Sequence, residues 1–244
     1  MSSTKSRSAK ELLVYAHRGA SAYYPENTIL AFQKALELGA KAIELDLILT
    51  NDAHYVVHHD FYISDEKQSR LDLRKMSRHD IETHLNQKRN TESRLPFLEQ
   101  VLAALPQEPI LNLELKIEYP HRYRENVRRL VAILEKAPNP RRFIVSSFHL
   151  DAMIYMQKIS SLSIAYLFMA HKWGQFMSRR ALLSRRRPDA VHLELGHPHL
   201  RHWLKELPVS VFTVNEFLKA QDLATQGVRG IFSDFPDLID KGFL

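Results

Sequence analysis

The stretch that decides the fold is Ala42-Ile43-Glu44-Leu45-Asp46-Leu47, in which apolar and acidic residues alternate. Successive side chains of a β-strand point to opposite faces, so Glu44 and Asp46 would lie on one side and the larger apolar residues on the other. Helices that cover a parallel sheet bury its outer face, which must therefore be the apolar one. The two acids then face the inside of a closed sheet, and the stretch predicts one strand of an α/β barrel.

The same organisation extends along the chain, where short apolar runs alternate with amphipathic stretches, as in repeated βα units. A chain of 244 residues fits one such barrel. We therefore predict an α/β fold, a TIM-like (β/α)8 barrel with a small insertion after the second barrel strand. The eight predicted strands are 12–16, 42–47, 110–115, 143–146, 164–168, 190–193, 210–214 and 230–232.

Helical spacing of apolar residues predicts helices over 28–38, with Asn27 as its N-cap, and over 125–136. Residues 55–95 are polar and irregular in period, which indicates an extra hairpin and a small lobe over the barrel mouth. Because the sequence has no internal repeat and no linker rich in proline or glycine, residues 1–244 are predicted to form one domain.

The amino-acid composition limits the class of protein and the kinds of metal site that are possible. Hydrophobic residues at 45% and charged residues at 25% are typical of a globular protein. The chain has no cysteine, so disulfides and thiolate ligands are excluded and any metal must bind oxygen or imidazole. Residues 1–10 are polar and basic, and the apolar run that follows is too short for a secretion signal or a membrane span, which indicates a cytoplasmic protein.

The formal net charge of +6 indicates a surface that attracts anions. Basic residues cluster at 122–129, 179–180 and 185–187, where helical spacing favours solvated outer faces; the alternative is weak contact with a membrane surface or a polyanion. No aromatic residues alternate with these basic residues on a recognisable platform, so no nucleic-acid partner is expected.

Two buried carboxylates on one strand must be neutralised by a cation or by basic side chains. The segment Leu113-Glu114-Leu115-Lys116 repeats the alternation, so Glu114 can join Glu44 and Asp46 in an all-oxygen site suited to one divalent cation, Mg²⁺ or Ca²⁺. Lys116 would face an anionic substrate or form a salt bridge to Glu44 or Asp46.

At the end of the first predicted strand, His17-Arg18-Gly19 combines a group that titrates near neutral pH with a guanidinium that matches two phosphate oxygens. In a parallel barrel, catalytic groups gather at the carboxyl ends of the strands. The tripeptide therefore indicates proton transfer beside a bound phosphate.

In order, spacing and strand context, five motifs resemble the glycerophosphodiester phosphodiesterase family. They are His17-Arg18-Gly19, Pro25-Glu26-Asn27-Thr28, Glu44-Leu45-Asp46, Val57-His58-His59-Asp60 and Glu114-Leu115-Lys116. The resemblance implies a metal-dependent enzyme that hydrolyses glycerophosphodiesters, its small-molecule substrates, to sn-glycerol 3-phosphate and an alcohol. It also implies a divalent cation on residues 44, 46 and 114, with His17 and His59 as acid and base and Arg18 and Lys116 binding the phosphate.

The sequence departs from the family pattern after His59, where Phe61 and Tyr62 occur, and at Phe212, which replaces a common tryptophan. With His192, these residues are candidates for a substrate pocket that suits a bulkier alcohol. One alternative function is therefore a lysophospholipase D-like phosphodiesterase acting on acylated substrates. The other is an inactive barrel that binds phosphoesters, which the retention of all the matched carboxylates and histidines disfavours.

Overall fold

The computed structural model describes residues 12–64, 69–118, 122–184 and 186–237. The predicted basic segment 1–10, Arg185 and the outermost residues of the predicted 1–244 domain lie outside these ranges, and the single domain stays a prediction. None of the described helices has the length and apolar character needed to cross a membrane.

Eight parallel strands close into a barrel, because β1 pairs with both β2 and β11 and every other barrel strand pairs with its neighbours in the order β2-β6-β7-β8-β9-β10-β11. This confirms the predicted TIM-like barrel, and each predicted strand overlaps an observed one. The strands are β1 (Leu13–Ala16), β2 (Ala42–Leu49), β3 (Tyr55–Val57), β4 (Tyr62–Ser64), β5 (Arg70–Asp72), β6 (Ile110–Leu115), β7 (Phe143–Ser147), β8 (Ser163–Phe168), β9 (Ala190–Glu194), β10 (Val209–Phe212) and β11 (Gly230–Ser233).

Helices follow most barrel strands and bury their apolar faces against the outside of the barrel. The α-helices are α1 (Ile29–Glu37), α2 (Arg78–Asp80), α3 (Leu98–Ala104), α4 (Tyr123–Leu134), α5 (Leu150–Ile159), α6 (Lys172–Leu182), α7 (Leu200–Trp203) and α8 (Phe217–Thr225). Single 3-10 turns lie at Leu73–Lys75, Asn86–Lys88, Thr91–Ser93 and Pro140–Arg142, and a π-helical turn lies at Ile81–Leu85.

The start of α1 differs from the prediction by one residue. Thr28, and not Asn27, is the N-cap, since its hydroxyl accepts a hydrogen bond from the Ala31 amide at 3.1 Å. Asn27 has a φ of +58°, in the left-handed region, and its side chain points away from the helix toward Asp46. The helix ends where predicted, with Gly39 at a φ of +94° directly after the C-cap Leu38.

The predicted insertion is present between β2 and β6. Its first strand, β3, pairs antiparallel with β2, and β4 and β5 form a separate two-stranded hairpin. The insertion has its own small apolar core, in which Val56, Leu73 and Phe97 are completely buried together with Ile48 of β2. That core holds the insertion against the edge of the barrel that carries the carboxyl ends of the strands.

Candidate active site

Three carboxylates meet inside the barrel at the carboxyl ends of β2 and β6. Glu44 and Asp46 are 3% and 1% exposed, and the strand register places Asp46 directly beside Glu114. One carboxylate oxygen from each residue lies within 4.8 Å of the other two. Three oxygens this close in a buried site form a group that can hold a divalent cation.

The electrostatics of the cluster reflect its burial. Burial and the neighbouring Asp46 charge raise the pKa of Glu44 to about 8. Burial also raises the pKa of Glu114, against the opposing effect of Lys116. For Asp46, burial acts in the same direction, but the positive charges of Lys116 and Arg18 outweigh it and lower the pKa. The cluster therefore concentrates negative charge on Asp46.

Asn27 orients the central carboxylate. Its Nδ2 donates to Oδ2 of Asp46 at 2.9 Å, and its Oδ1 accepts from the Asp46 amide at 3.2 Å. The other oxygen, Oδ1 of Asp46, is buried and accepts no hydrogen bond among the described residues, and Nζ of Lys116, 3.4 Å away, is a charged neighbour only. A hard cation bound to this oxygen would satisfy it, so the donor set fits Mg²⁺ or Ca²⁺.

Both residues predicted to bind phosphate lie at this cluster. The Arg18 guanidinium donates two hydrogen bonds to Glu26, at 3.0 and 3.1 Å, and its Nε lies 3.3 Å from Oδ2 of Asp46. Nζ of Lys116 lies 2.9 Å from Oε1 of Glu114 and 3.4 Å from Oδ1 of Asp46. The salt bridge considered for Lys116 is thus present, and phosphate binding by both residues stays a prediction.

His17 is held by a carboxylate for which no role was predicted. Its Nδ1 lies 2.7 Å from Oδ1 of Asp234, which also accepts from Ser21, and Asn215 donates to the other Asp234 oxygen at 2.6 Å. Burial lowers the pKa of His17, but the Asp234 hydrogen bond and the Glu44 charge outweigh it and raise the pKa. The sequence signals for this pair were that β1, β10 and β11 all end at the same end of the barrel, and that the segments containing Asn215 and Asp234 resemble strand ends of the family.

Both adjacent histidines interact electrostatically with the carboxylates. The His59 charge lowers the pKa of both Asp46 and Glu114, and Nδ1 of His59 lies 2.8 Å from Oδ1 of Asp60. The His58 amide donates to the Asp46 carbonyl at 3.1 Å, and burial lowers the pKa of its imidazole. The Asp46 charge opposes the effect of burial on His58, so both imidazoles sense the cluster and the choice of His59 stays a prediction.

The predicted pocket residues of the insertion lie against arginines. The Arg74 guanidinium stacks over Phe61 at 4.6 Å and donates to the Tyr62 hydroxyl at 3.0 Å, and Arg70 lies 3.7 Å from the centre of the Tyr62 ring. Phe61 also lines a cavity of about 330 Å³ that reaches Lys116.

The other two predicted pocket residues differ in accessibility. His192 is 1% exposed and packs between Tyr15 and Phe232, so the structure places it in the barrel interior and not at the open mouth. Sequence spacing predicted that His192 lies on a strand, but it did not indicate how far below the barrel mouth the side chain lies. Phe212 is partly exposed at the end of β10, with its ring 6.1 Å from that of Phe148.

Comparison with known proteins gives one consistent result. Residues 17–238 match the model of the glycerophosphoryl diester phosphodiesterase family. A glycerophosphodiester phosphodiesterase of Caldanaerobacter subterraneus is 30% identical, covering 94% of this chain and 98% of that protein, and one of Bacillus altitudinis is 29% identical, covering 92% and 95%. The crystal structure of the glycerophosphodiester phosphodiesterase of Thermotoga maritima is 25% identical, with a TM-score of 0.76 and coverage of 95% and 98% of the two chains.

Proposed function

Because the chain belongs to the glycerophosphoryl diester phosphodiesterase family, a family of phosphoric diester hydrolases, we propose that it hydrolyses glycerophosphodiesters to sn-glycerol 3-phosphate and an alcohol. The observation that carries this proposal is the meeting of three carboxylates, two buried and one partly buried, with a histidine that a fourth carboxylate orients. An inactive binding barrel would have no need to keep this combination.

The proposed cofactor is one divalent cation, Mg²⁺ or Ca²⁺, held by Glu44, Asp46 and Glu114. Such an ion would supply Lewis acidity to the phosphoryl oxygens of a bound diester. The protein's part is to keep the carboxylates in place, and it does so through Asn27, which fixes both the backbone amide and the side chain of Asp46.

Proton transfer is proposed for the two histidines. An ionised carboxylate can only accept hydrogen bonds, so Nδ1 of His17 carries the proton that faces Asp234, and Nε2 is left to exchange a proton with substrate. His59 would handle the second proton, on the other reacting oxygen. One histidine takes a proton from the attacking water, or from a neighbouring substrate hydroxyl whose cyclic phosphate product water then opens, while the other gives a proton to the leaving alcohol.

Arg18 and Lys116 are proposed to stabilise the phosphoryl group. Both cations contact Asp46, so their charge lies where negative charge would accumulate on a phosphate bound at the cluster. Burial alone would lower the pKa of Lys116, but Glu114 and Asp46 outweigh it and raise the pKa, which keeps this side chain charged.

The test is release of sn-glycerol 3-phosphate from glycerophosphocholine and glycerophosphoethanolamine, before and after chelation and after addition of Mg²⁺ or Ca²⁺. We expect activity that chelation abolishes and metal restores, and loss of activity in His17→Ala and Glu44→Ala. His84→Ala and Glu37→Ala, which alter exposed residues away from the site, are the matched controls. Phosphorus NMR during turnover would show whether a cyclic phosphate forms before water completes the reaction.

Full activity after chelation would contradict the proposed metal, and activity in His17→Ala would contradict the proposed proton transfer. A wild-type protein that binds these diesters but hydrolyses no phosphodiester, short or acylated, would support the binding barrel instead.

A second candidate, a lysophospholipase D-like activity on acylated glycerophosphodiesters, is favoured by the cavity beside Lys116. Ile48, Phe61 and Ile117 contribute apolar side chains to its lining. If the acyl chain on the glycerol of a lysophospholipid binds there, Phe61→Ala should raise KM for lysophosphatidylcholine and leave KM for glycerophosphocholine unchanged. Equal effects on both substrates would remove this candidate.

A further inference from the structure

Helix α6 has its large apolar residues on the outside. Gly174, Ser178 and Ala181 face the barrel and are buried, whereas Trp173 is 66% exposed and Phe176 is 55% exposed. The two exposed rings stack on each other with their centres 5.5 Å apart. An ordinary surface helix buries its aromatic residues and exposes small or polar ones, so this arrangement leaves an apolar surface without a partner.

The helix is locked in this orientation by its inner face. A side chain at Gly174 would collide with the carbonyl of Met169, so only glycine allows this close approach to the preceding loop. One turn later, the Ser178 hydroxyl accepts a hydrogen bond from Nε1 of the buried Trp203 at 2.8 Å. Rotating α6 to hide its aromatic residues would break both contacts.

Basic side chains lie beside the exposed rings. Lys172, Arg179 and Arg180 are exposed on α6, and none of them forms an ion pair within the part of the chain that the structure describes. Arg180 follows Phe176 by four residues, which places it on the same outward face. The face therefore combines aromatic rings with positive charges that no described carboxylate neutralises.

Further exposed apolar residues lie at the same end of the barrel. α6 follows β8, so its first turn lies at the carboxyl end of the strands, where the site also lies. The neighbouring strands β7 and β9 are each followed directly by an exposed apolar residue, and α8, which follows β10, carries another in its first turn. Together the residues define what we call the rim: Phe148, Trp173, Phe176, Leu195 and Leu218.

We propose that the rim is a docking surface for an anionic lipid bilayer, with Lys172, Arg179 and Arg180 as its electrostatic contacts. Tryptophan and phenylalanine insert at the level of lipid headgroups, and basic residues beside them are attracted to anionic lipid. A second copy of this chain fits the surface less well, because pairing two rims would bring the same unneutralised cations together. Docking through the rim turns the barrel mouth toward the bilayer.

The two tryptophans of the chain allow a direct test. Trp203 is fully buried and Trp173 is exposed, so a change in intrinsic fluorescence on adding vesicles reports Trp173. We expect a blue shift and co-sedimentation with phosphatidylcholine vesicles that contain phosphatidylglycerol, both reduced by high salt. The triple variant Lys172→Gln, Arg179→Gln, Arg180→Gln should bind roughly 100-fold more weakly, since each basic residue contributes a factor of about five at an anionic surface.

The control variants separate the rim from other exposed apolar residues. Phe176→Ser should weaken binding, whereas Ile159→Ser, at the end of α5 away from the mouth, should not. Trp173→Phe should lose the fluorescence change and keep co-sedimentation. Binding is measured without turnover, so the outcome does not depend on the proposed hydrolysis.

Three results would overturn the proposal. One is the absence of binding both to vesicles that contain phosphatidylglycerol and to neutral vesicles of phosphatidylcholine alone. Another is equal binding to the two kinds of vesicle, with no weakening in the triple variant. The third is a fluorescence change that follows protein concentration without lipid, which would identify the rim as a contact between two copies of the chain.

Discussion

Nδ1 of His17 lies 2.7 Å from Oδ1 of Asp234, although 217 positions separate the two residues. The contact exists because the first and last strands of the barrel pair in parallel, with Ala16 beside Ser233, so the residues that follow each strand meet. Asn215 and Ser21 hold the carboxylate in place. Hydrogen bonds to His17 and Asn215 outweigh the effect of burial and lower the pKa of Asp234 to about 2, so it is ionised throughout the neutral range.

Replacing Asp234 by Asn should lower kcat by about 100-fold, because the imidazole loses the partner that fixes its tautomer. The Asp234 hydrogen bond raises the pKa of His17, so its loss lowers that pKa. The limb of the pH profile of kcat/KM that belongs to His17 should therefore move to lower pH. Steady-state kinetics across pH measure both effects.

Ser21→Ala is the matched control, since it removes one hydrogen bond to Asp234 and leaves the imidazole contact intact. Its effect on kcat should be at most a few-fold. An unshifted pH profile in Asp234→Asn would show that the carboxylate does not act through His17.

Metal binding should stabilise the fold, because it neutralises three carboxylates that are close together, two of them buried and one partly buried. A metal concentration about 100 times Kd stabilises by about 2.7 kcal/mol, which for a chain of this size raises Tm by roughly 5–10 °C. In Glu44→Gln the rise should be largely lost, whereas Glu37→Gln, on the exposed face of α1, should respond like wild type. Calorimetry with chelator and with added metal measures this; an equal rise in Glu44→Gln would remove Glu44 from the ligand set.

Two glycines allow the cost of a left-handed backbone to be measured separately from the cost of a steric clash. Gly19 and Gly196 both have a φ of +85°, but a Cβ on Gly19 would lie 2.6 Å from the Ala31 carbonyl carbon, and a Cβ on Gly196 would have nothing within 4 Å. Gly196→Ala should cost about 1 kcal/mol of unfolding free energy, from the left-handed backbone alone. Gly19→Ala should cost about 3 kcal/mol or more, because α1 must also move. Urea denaturation measures both, and equal costs would contradict the close packing of the loop against α1.

His192 should make the fold sensitive to acid. Burial lowers its pKa from 6.5 to about 3, so below pH 6.5 the unfolded chain binds a proton that the folded chain does not. Stability is therefore lost as pH falls from 6.5 toward 3, by up to about 1.4 kcal/mol per pH unit from this residue. His192→Leu should make the loss of stability with falling pH smaller, as measured by urea unfolding at neutral pH and near pH 4.5. An equal loss of unfolding free energy in wild type and variant would exclude His192 as its source.

The alternation of 42–47 and the spacing of eight apolar runs determined the barrel, because the faces of strands and helices are set by local periodicity. The same periodicity placed Glu44 and Asp46 on one side of a strand. The oxygen-rich donor set also followed from the sequence, since the chain has no cysteine. These features need no knowledge of which strand pairs with which.

Partners that are distant in sequence were decided only by the tertiary structure. Asp234 contacts His17 because the barrel closes. Asn27 contacts Asp46 because its backbone adopts a positive φ, which no local sequence pattern predicted. The burial of His192 and the outward face of α6 likewise depend on what surrounds them. Periodicity shows which residues share a face of a strand or helix. The contacts that bury one face and expose the other come from other parts of the chain.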